Sequence, residues 1–118
     1  MRNHILGAAF ALLLPTLSAQ AQDAAAGKKV FTACKACHAF GKNGLGPNLT
    51  GVVGRKAASV KGYNYSNALK KSGITWDEAN LKEWLTGPAA NKVKGTKMPY
   101  QGLKDDKKVA DVMPAWQP

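Results

Sequence analysis

Between Asp23 and Cys34 the residues Gly27, Val30, Phe31 and Cys34 recur three and four apart, which predicts a helix with one apolar face. Asp23 stands where an N-cap carboxylate would accept the first free backbone N–H groups. A second helical pattern runs through Leu81, Trp84 and Leu85 and stops at Gly87-Pro88. Its start, Thr75-Trp76-Asp77-Glu78, reads as a capping box in which the Thr75 hydroxyl and the Glu78 side chain satisfy reciprocal backbone donors. Asp105 to Val112 predicts a two-turn helix with Val109, Val112 and Met113 on one side, and Ser66 to Lys71 a shorter one ended at Ser72-Gly73. No stretch alternates as a half-buried strand does, and no repeat is evident. The pattern predicts an all-α domain of three to four short helices.

Between these helices lie two long irregular stretches, Phe40 to Tyr65 and Ala89 to Gly102, rich in Gly, Asn and Pro. Loops of such length are uncommon in a compact domain unless they serve a function, and wrapping a prosthetic group would be one. The first 21 residues have a different character. Arg2, the apolar run Ile5 to Leu14 and the small residues of Ala19-Gln20-Ala21 follow the pattern of a cleaved secretory signal peptide. The run is shorter than the ~20 apolar residues of a membrane span. The expected domain is therefore 22–118, exported to the periplasm and soluble there.

Charge narrows the choice of partners. The 118-residue chain carries a net charge of +10, and removal of Arg2 leaves +9 on the domain. The excess is mostly lysine, dispersed rather than clustered, which suits long-range steering toward acidic protein surfaces. No nucleic-acid motif accompanies it, so no nucleic-acid partner is expected.

Two cysteines in an exported chain would ordinarily suggest a disulfide. Here Cys34-Lys35-Ala36-Cys37-His38 instead forms the C-x-x-C-H pattern of covalent haem attachment. Residues three apart on a helical turn face the same way, so both thiols can reach the two vinyl groups on one porphyrin edge. His38 then lies beneath the ring and can offer an imidazole nitrogen to iron. A thioredoxin-like motif would need a nearby βαβ pattern, and a structural zinc site four ligands. The domain has no such pattern, and its two Cys and one His are too few for zinc.

From about Ala26 to Leu103 the sequence resembles the class I cytochromes c. The likeness is carried by Cys34-Lys35-Ala36-Cys37-His38, Gly46-Pro47-Asn48-Leu49, Gly51-Val52-Val53-Gly54-Arg55-Lys56, Gly73-Ile74-Thr75-Trp76 and Gly95-Thr96-Lys97-Met98. The resemblance implies the cytochrome c fold around one haem c, joined through thioethers to Cys34 and Cys37, with His38 and Met98 as axial iron ligands. Met113 is the only other methionine of the domain and falls on the last helix. Thioether ligation favours reduced iron. With six positions filled, the implied chemistry is outer-sphere one-electron transfer and not enzymatic turnover. The resemblance further implies that the Pro47 carbonyl accepts the second ring N–H of His38. It places Tyr65, Trp76 and Arg55 on the haem propionates, Trp84 near the Met sulfur and Tyr100 at the aromatic position after Met98.

Partners implied in the same way are the acidic faces of a cytochrome bc-type complex, a terminal oxidase, a reaction centre or a periplasmic dehydrogenase or reductase. The chain would meet them as a monomer, transiently at the membrane surface, through Lys35, Lys42, Lys97 and Lys104. The alternatives are a subunit fixed in a larger enzyme complex, or a haem peroxidase or gas-binding protein in which Met98 is labile. Two departures stand out. Leu69 occupies a position that is often polar, near a propionate. Pro114 interrupts the terminal helix, where it removes a hydrogen bond and clashes with the Ala110 carbonyl. This predicts a shortened helix and a Trp116 that folds back to supply an aromatic contact.

Overall fold

The computed structural model describes residues 22–116. The signal-peptide reading falls on residues 1–21 and so lies outside them. Among the described residues five α-helices make the frame: α1 (Ala24–Phe31), α2 (Asn67–Ser72), α3 (Glu78–Thr86), α4 (Ala89–Lys92) and α5 (Asp106–Val112). Among the described residues no helix is long and apolar enough to cross a membrane.

Most helix ends follow from local chemistry. The Asp23 carboxylate accepts from the N–H groups of Ala25 and Ala26 at 3.0 and 3.1 Å, and Lys28 and Lys29 in the last turn of α1 complement its dipole. A 3₁₀ turn, Thr32–Cys34, then delivers the cysteine motif. Ser66 caps α2 through Leu69 N–H at 3.1 Å, and Asp105 caps α5 through Lys107 N–H at 2.9 Å. At the end of α2, Gly73 takes the left-handed conformation, φ 67°, which glycine adopts without a Cβ penalty.

Two expectations are corrected. Thr75 does not cap α3. Its segment pairs with 54–57 through an isolated antiparallel bridge, Lys56 to Thr75, with Trp76 N–H on the Arg55 carbonyl at 2.8 Å. The cap therefore falls to Asp77, whose carboxylate accepts from Asn80 N–H at 2.8 Å. The stretch after Gly87-Pro88 is not all loop either, because α4 begins at Ala89. Ala89 is fully buried and its N–H donates to the Tyr100 carbonyl at 3.0 Å. A tertiary bond starts this single turn.

The core forms where α1 crosses α5. A Cβ on Gly27 would overlap the Asp111 carbonyl, so only glycine permits this approach. Val109 and Val112 are both 1 % exposed beside it. Asp111 is buried too, accepting from Asp23 N–H at 2.9 Å and pairing with Lys107 at 2.7 Å. Beyond Met113, Pro114 ends the α-helix as expected and the chain continues as a 3₁₀ turn to Trp116. The indole comes back edge-on to Phe31, with ring centroids 6.1 Å apart at 77°.

The long segment 40–65 has no regular structure but is tightly organised by side chains. Asn48 Oδ1 accepts from the N–H groups of Gly41 and Thr50 at 2.8 and 2.9 Å. Asn43 accepts from Asn48 N–H at 2.8 Å and donates to the Lys61 carbonyl at 3.2 Å. The Tyr63 hydroxyl donates to the Leu45 carbonyl at 2.7 Å. Backbone groups that helices and sheets would satisfy are met here by asparagine and tyrosine side chains.

Candidate functional site: an apolar cavity ringed by Cys, His and Met

The loops and α3 line a cavity open to solvent on one side, with about 840 Å³ of free space counting its mouth, and its walls are almost wholly apolar. Cys34, His38 and Met98 all reach its wall, as do Pro47, Arg55, Tyr65, Trp76, Trp84 and Tyr100. Cys37 is exposed at the surface, and Met113 is buried in the core instead of lining the cavity.

The cysteine segment is held as a tight turn, with Cys37 N–H and His38 N–H both donating to the Cys34 carbonyl at 3.1 and 2.9 Å. Burial pushes the Cys34 thiol up, and the neighbouring Cys37 adds to the shift. His38 is placed from both sides. Its Nδ1 lies 3.0 Å from the Pro47 carbonyl, which leaves Nε2 as the free nitrogen. Gly46 supplies the opposite wall: a Cβ there would stand 2.5 Å from Cε1 of the ring, so the imidazole occupies the space a side chain would fill.

Met98 enters from the 93–100 loop, its N–H donating to Thr96 Oγ1 at 3.2 Å. That loop is tied down by Lys97, whose Nζ donates to the Asn64 carbonyl at 2.6 Å. Tyr100 donates to the Leu85 carbonyl at 2.5 Å, and burial raises its hydroxyl pKa to about 12. Trp76 and Trp84 meet edge to face at 5.1 Å, and Tyr65 meets Tyr63 similarly at 4.8 Å. Tyr65 is buried, its hydroxyl accepting from Val60 N–H at 3.1 Å.

Half-buried Arg55 and exposed Lys97 are the cations of this wall among the described residues. Arg55 Nη1 donates to the carbonyls of Asn48 and Thr50 at 3.0 and 2.9 Å, while Nε is buried with no partner among the described residues. Desolvation lowers its pKa. An unpaired guanidinium donor beside a cavity calls for an anionic group on whatever fills it. Leu69 also lines the cavity, so this departure from the polar residue stays within the site. The sequence reading missed Leu49, Val52, Tyr63, Thr96 and Trp116 as wall residues. Leu49 and Val52 lie within stretches that carried the resemblance, but no local signal separates a cavity wall from ordinary core.

A thiol, an imidazole with one nitrogen free and a thioether on the wall of an apolar hollow, with a second thiol exposed three residues after the first, fit a flat macrocycle with a central metal ion. Such a donor set on a small helical domain defines a c-type haem protein. The cytochrome c family model matches residues 24–113. Cytochrome c-554 of Methylosinus trichosporium is 54% identical over 95 residues, covering 78% of this chain and 71% of its own. Cytochrome c2 of Blastochloris viridis is 44% identical over 116 residues, covering 96% and 90%. Among solved structures, cytochrome cH from Methylobacterium extorquens superimposes with a TM-score of 0.77 at 57% identity, over 80% of this chain and 96% of its own. The chain belongs to the cytochrome c family: it binds haem c covalently and acts in electron transfer.

Proposed function

We propose that the chain is a periplasmic one-electron shuttle. In this reading, removal of residues 1–21 releases the domain 22–118. Cys34 and Cys37 hold the haem through two thioethers, and His38 and Met98 ligate its iron. The observation that carries this reading is the convergence of Cys34, His38 and Met98 on one apolar cavity, with the Pro47 carbonyl holding Nδ1 of His38.

When bound, the haem supplies a metal centre that takes up and releases one electron. The protein's contribution is to keep that centre rigid, dry and fully ligated. His38 cannot swing away while the Pro47 carbonyl and Gly46 confine its ring. The bond from Lys97 to Asn64 ties down the loop that presents Met98. Arg55, Tyr65 and Trp76 line the cavity and would hold the propionates, Arg55 through its free Nε. Trp84 and Tyr100 line the same cavity and would keep water from Met98. His38 and Met98 would both be engaged in holding the haem iron, which favours a carrier over a peroxidase or gas-binding protein.

Mass spectrometry of the periplasmic protein tests the core of this reading, with one porphyrin-sized covalent adduct on a chain beginning at Gln22 expected. The ferrous spectrum should be low-spin and unmoved by carbon monoxide. A carbon monoxide shift in the native protein would overturn the Met98 assignment, and a Met98→Ala variant should acquire one.

Donor and acceptor are acidic-faced redox proteins: a cytochrome bc-type complex, a terminal oxidase, a reaction centre or a periplasmic dehydrogenase or reductase. Lys35 and Lys42 are exposed near the cysteine motif, whereas Lys97 and Lys104 are exposed but donate to the carbonyls of Asn64 and Thr86. Lys35→Glu with Lys42→Glu should slow reduction by such a partner about tenfold at low salt, and the difference should shrink as salt is added. Stopped-flow rates insensitive to both charge and salt would reject the docking face.

A further inference from the structure

Trp116 is the last described residue and lies three positions beyond the end of the family-model match, yet it forms part of the haem cavity wall. Pro114 makes this possible by ending α5, so that the 3₁₀ turn, closed by Trp116 N–H on the Met113 carbonyl at 3.0 Å, carries the indole back over Phe31. Packing on Phe31 would ask only for an aromatic ring. The indole adds a donor. Its Nε1 is buried without an acceptor among the described residues, and the residue as a whole is 7 % exposed.

An indole N–H can donate but not accept, and a buried donor is rarely left unpaired. Apart from Arg55 Nε, it is the only buried side-chain polar atom among the described residues without a partner, and both residues line the same cavity. The acceptor for each is therefore sought in what fills that cavity. For Arg55 the charge calls for an anion. The neutral indole suits the electron-rich π-surface of a tetrapyrrole.

We propose that Trp116 is a haem-positioning residue, which closes the cavity from the C-terminal side and turns its indole N–H onto the bound tetrapyrrole. This rests on the haem reading of the cavity. The consequence is a higher reduction potential, for two reasons with the same sign. The bulk of the indole keeps water from the ring, and low polarity disfavours the more highly charged ferric state. The positive end of the N–H dipole also favours the form carrying the added electron.

The test uses the native holoprotein with Trp116→Phe and Trp116→Ala. In nitrogen-edited NMR of the diamagnetic ferrous state, the indole N–H signal absent from Trp116→Phe identifies this residue. That signal should be displaced from the free-indole position by the ring current and should exchange slowly with solvent. Spectroelectrochemical titration should give a lower midpoint potential for Trp116→Phe, which loses only the donor, and a lower one still for Trp116→Ala. An undisplaced, fast-exchanging signal overturns the proposal. So does a native potential in Trp116→Phe accompanied by nothing more than a lower melting midpoint. Should Trp116→Ala fail to fold, the phenylalanine variant still decides. Failure of the haem reading itself would show separately, as native protein without a covalent adduct.

Discussion

The crossing of α1 and α5 and the loop wall from His38 to Tyr65 are both well ordered, but by opposite means. At the crossing, backbone meets backbone: Gly27 lies directly against the Asp111 carbonyl, and Val109 and Val112 are almost wholly buried beside it. In the loop wall, side chains stand in for secondary structure, with Asn43, Asn48, Arg55 and Tyr63 binding backbone groups across the segment. The first region owes its order to close packing and the second to polar satisfaction. Damage should therefore read out differently, as lost stability in one and altered haem surroundings in the other.

The largest effect is expected from Gly27→Ala. The added methyl must displace the Asp111 backbone, which cannot move without opening the whole crossing. Overpacking against backbone should cost about 3 kcal/mol, lowering the melting midpoint by on the order of 15 °C in a domain of this size. The ferrous spectrum of the protein that remains folded should stay native. A midpoint unchanged within error would mean that the crossing is looser than the contact implies.

Gly46→Ala is the matching change in the loop wall and should invert the outcome. Here the new methyl meets the ring of His38, at 2.5 Å from Cε1 and 2.8 Å from Nδ1. The ring can yield only by straining its bond to Pro47. A stability cost of about 1–2 kcal/mol is expected, smaller than at Gly27. The midpoint potential and the Soret band should both shift. If the potential stays native while stability falls as far as in Gly27→Ala, the contrast between the regions fails.

The same contrast explains what could be read from the sequence. Asp23, Ser66 and Asp105 act as caps within their own turns, and the spacing of Val109, Val112 and Met113 marks the buried face of α5. These signals are local. Thr75 was misread because its partner, Lys56, is nineteen positions away, and α4 escaped notice because its first turn starts on the distant Tyr100 carbonyl. The cysteine motif announces haem chemistry within five residues, but nothing near Tyr63 or Trp116 shows that they face the same hollow. Cavity walls are assembled by long-range contacts and become visible only in the fold.

Asp111 yields the subtlest prediction, and it separates charge from packing inside one region. Its carboxyl is held below the ordinary 3.8, first by the hydrogen bond from Lys107 and then by Asp23 N–H. A depressed carboxyl contributes stability that is complete above 3.8 and disappears as pH falls through the lowered folded-state value. Lys107 is raised above 10.5 by the same bond, so its contribution is complete below 10.5 and is lost as pH climbs through the raised value. Both are intact at neutral pH. Asp111→Asn keeps an acceptor for Asp23 N–H and removes the charge, so the glycine at the crossing is untouched. The variant should melt slightly lower than the native protein at pH 7, by less than either glycine substitution. The gap should close as pH falls through the lowered folded-state value, because there the native carboxyl is also protonated. Melting curves collected from pH 7 down to pH 2 provide the check. A gap that persists undiminished at the acid end would show that shape, and not ionisation, is what Asp111 brings to the clamp between the two terminal helices.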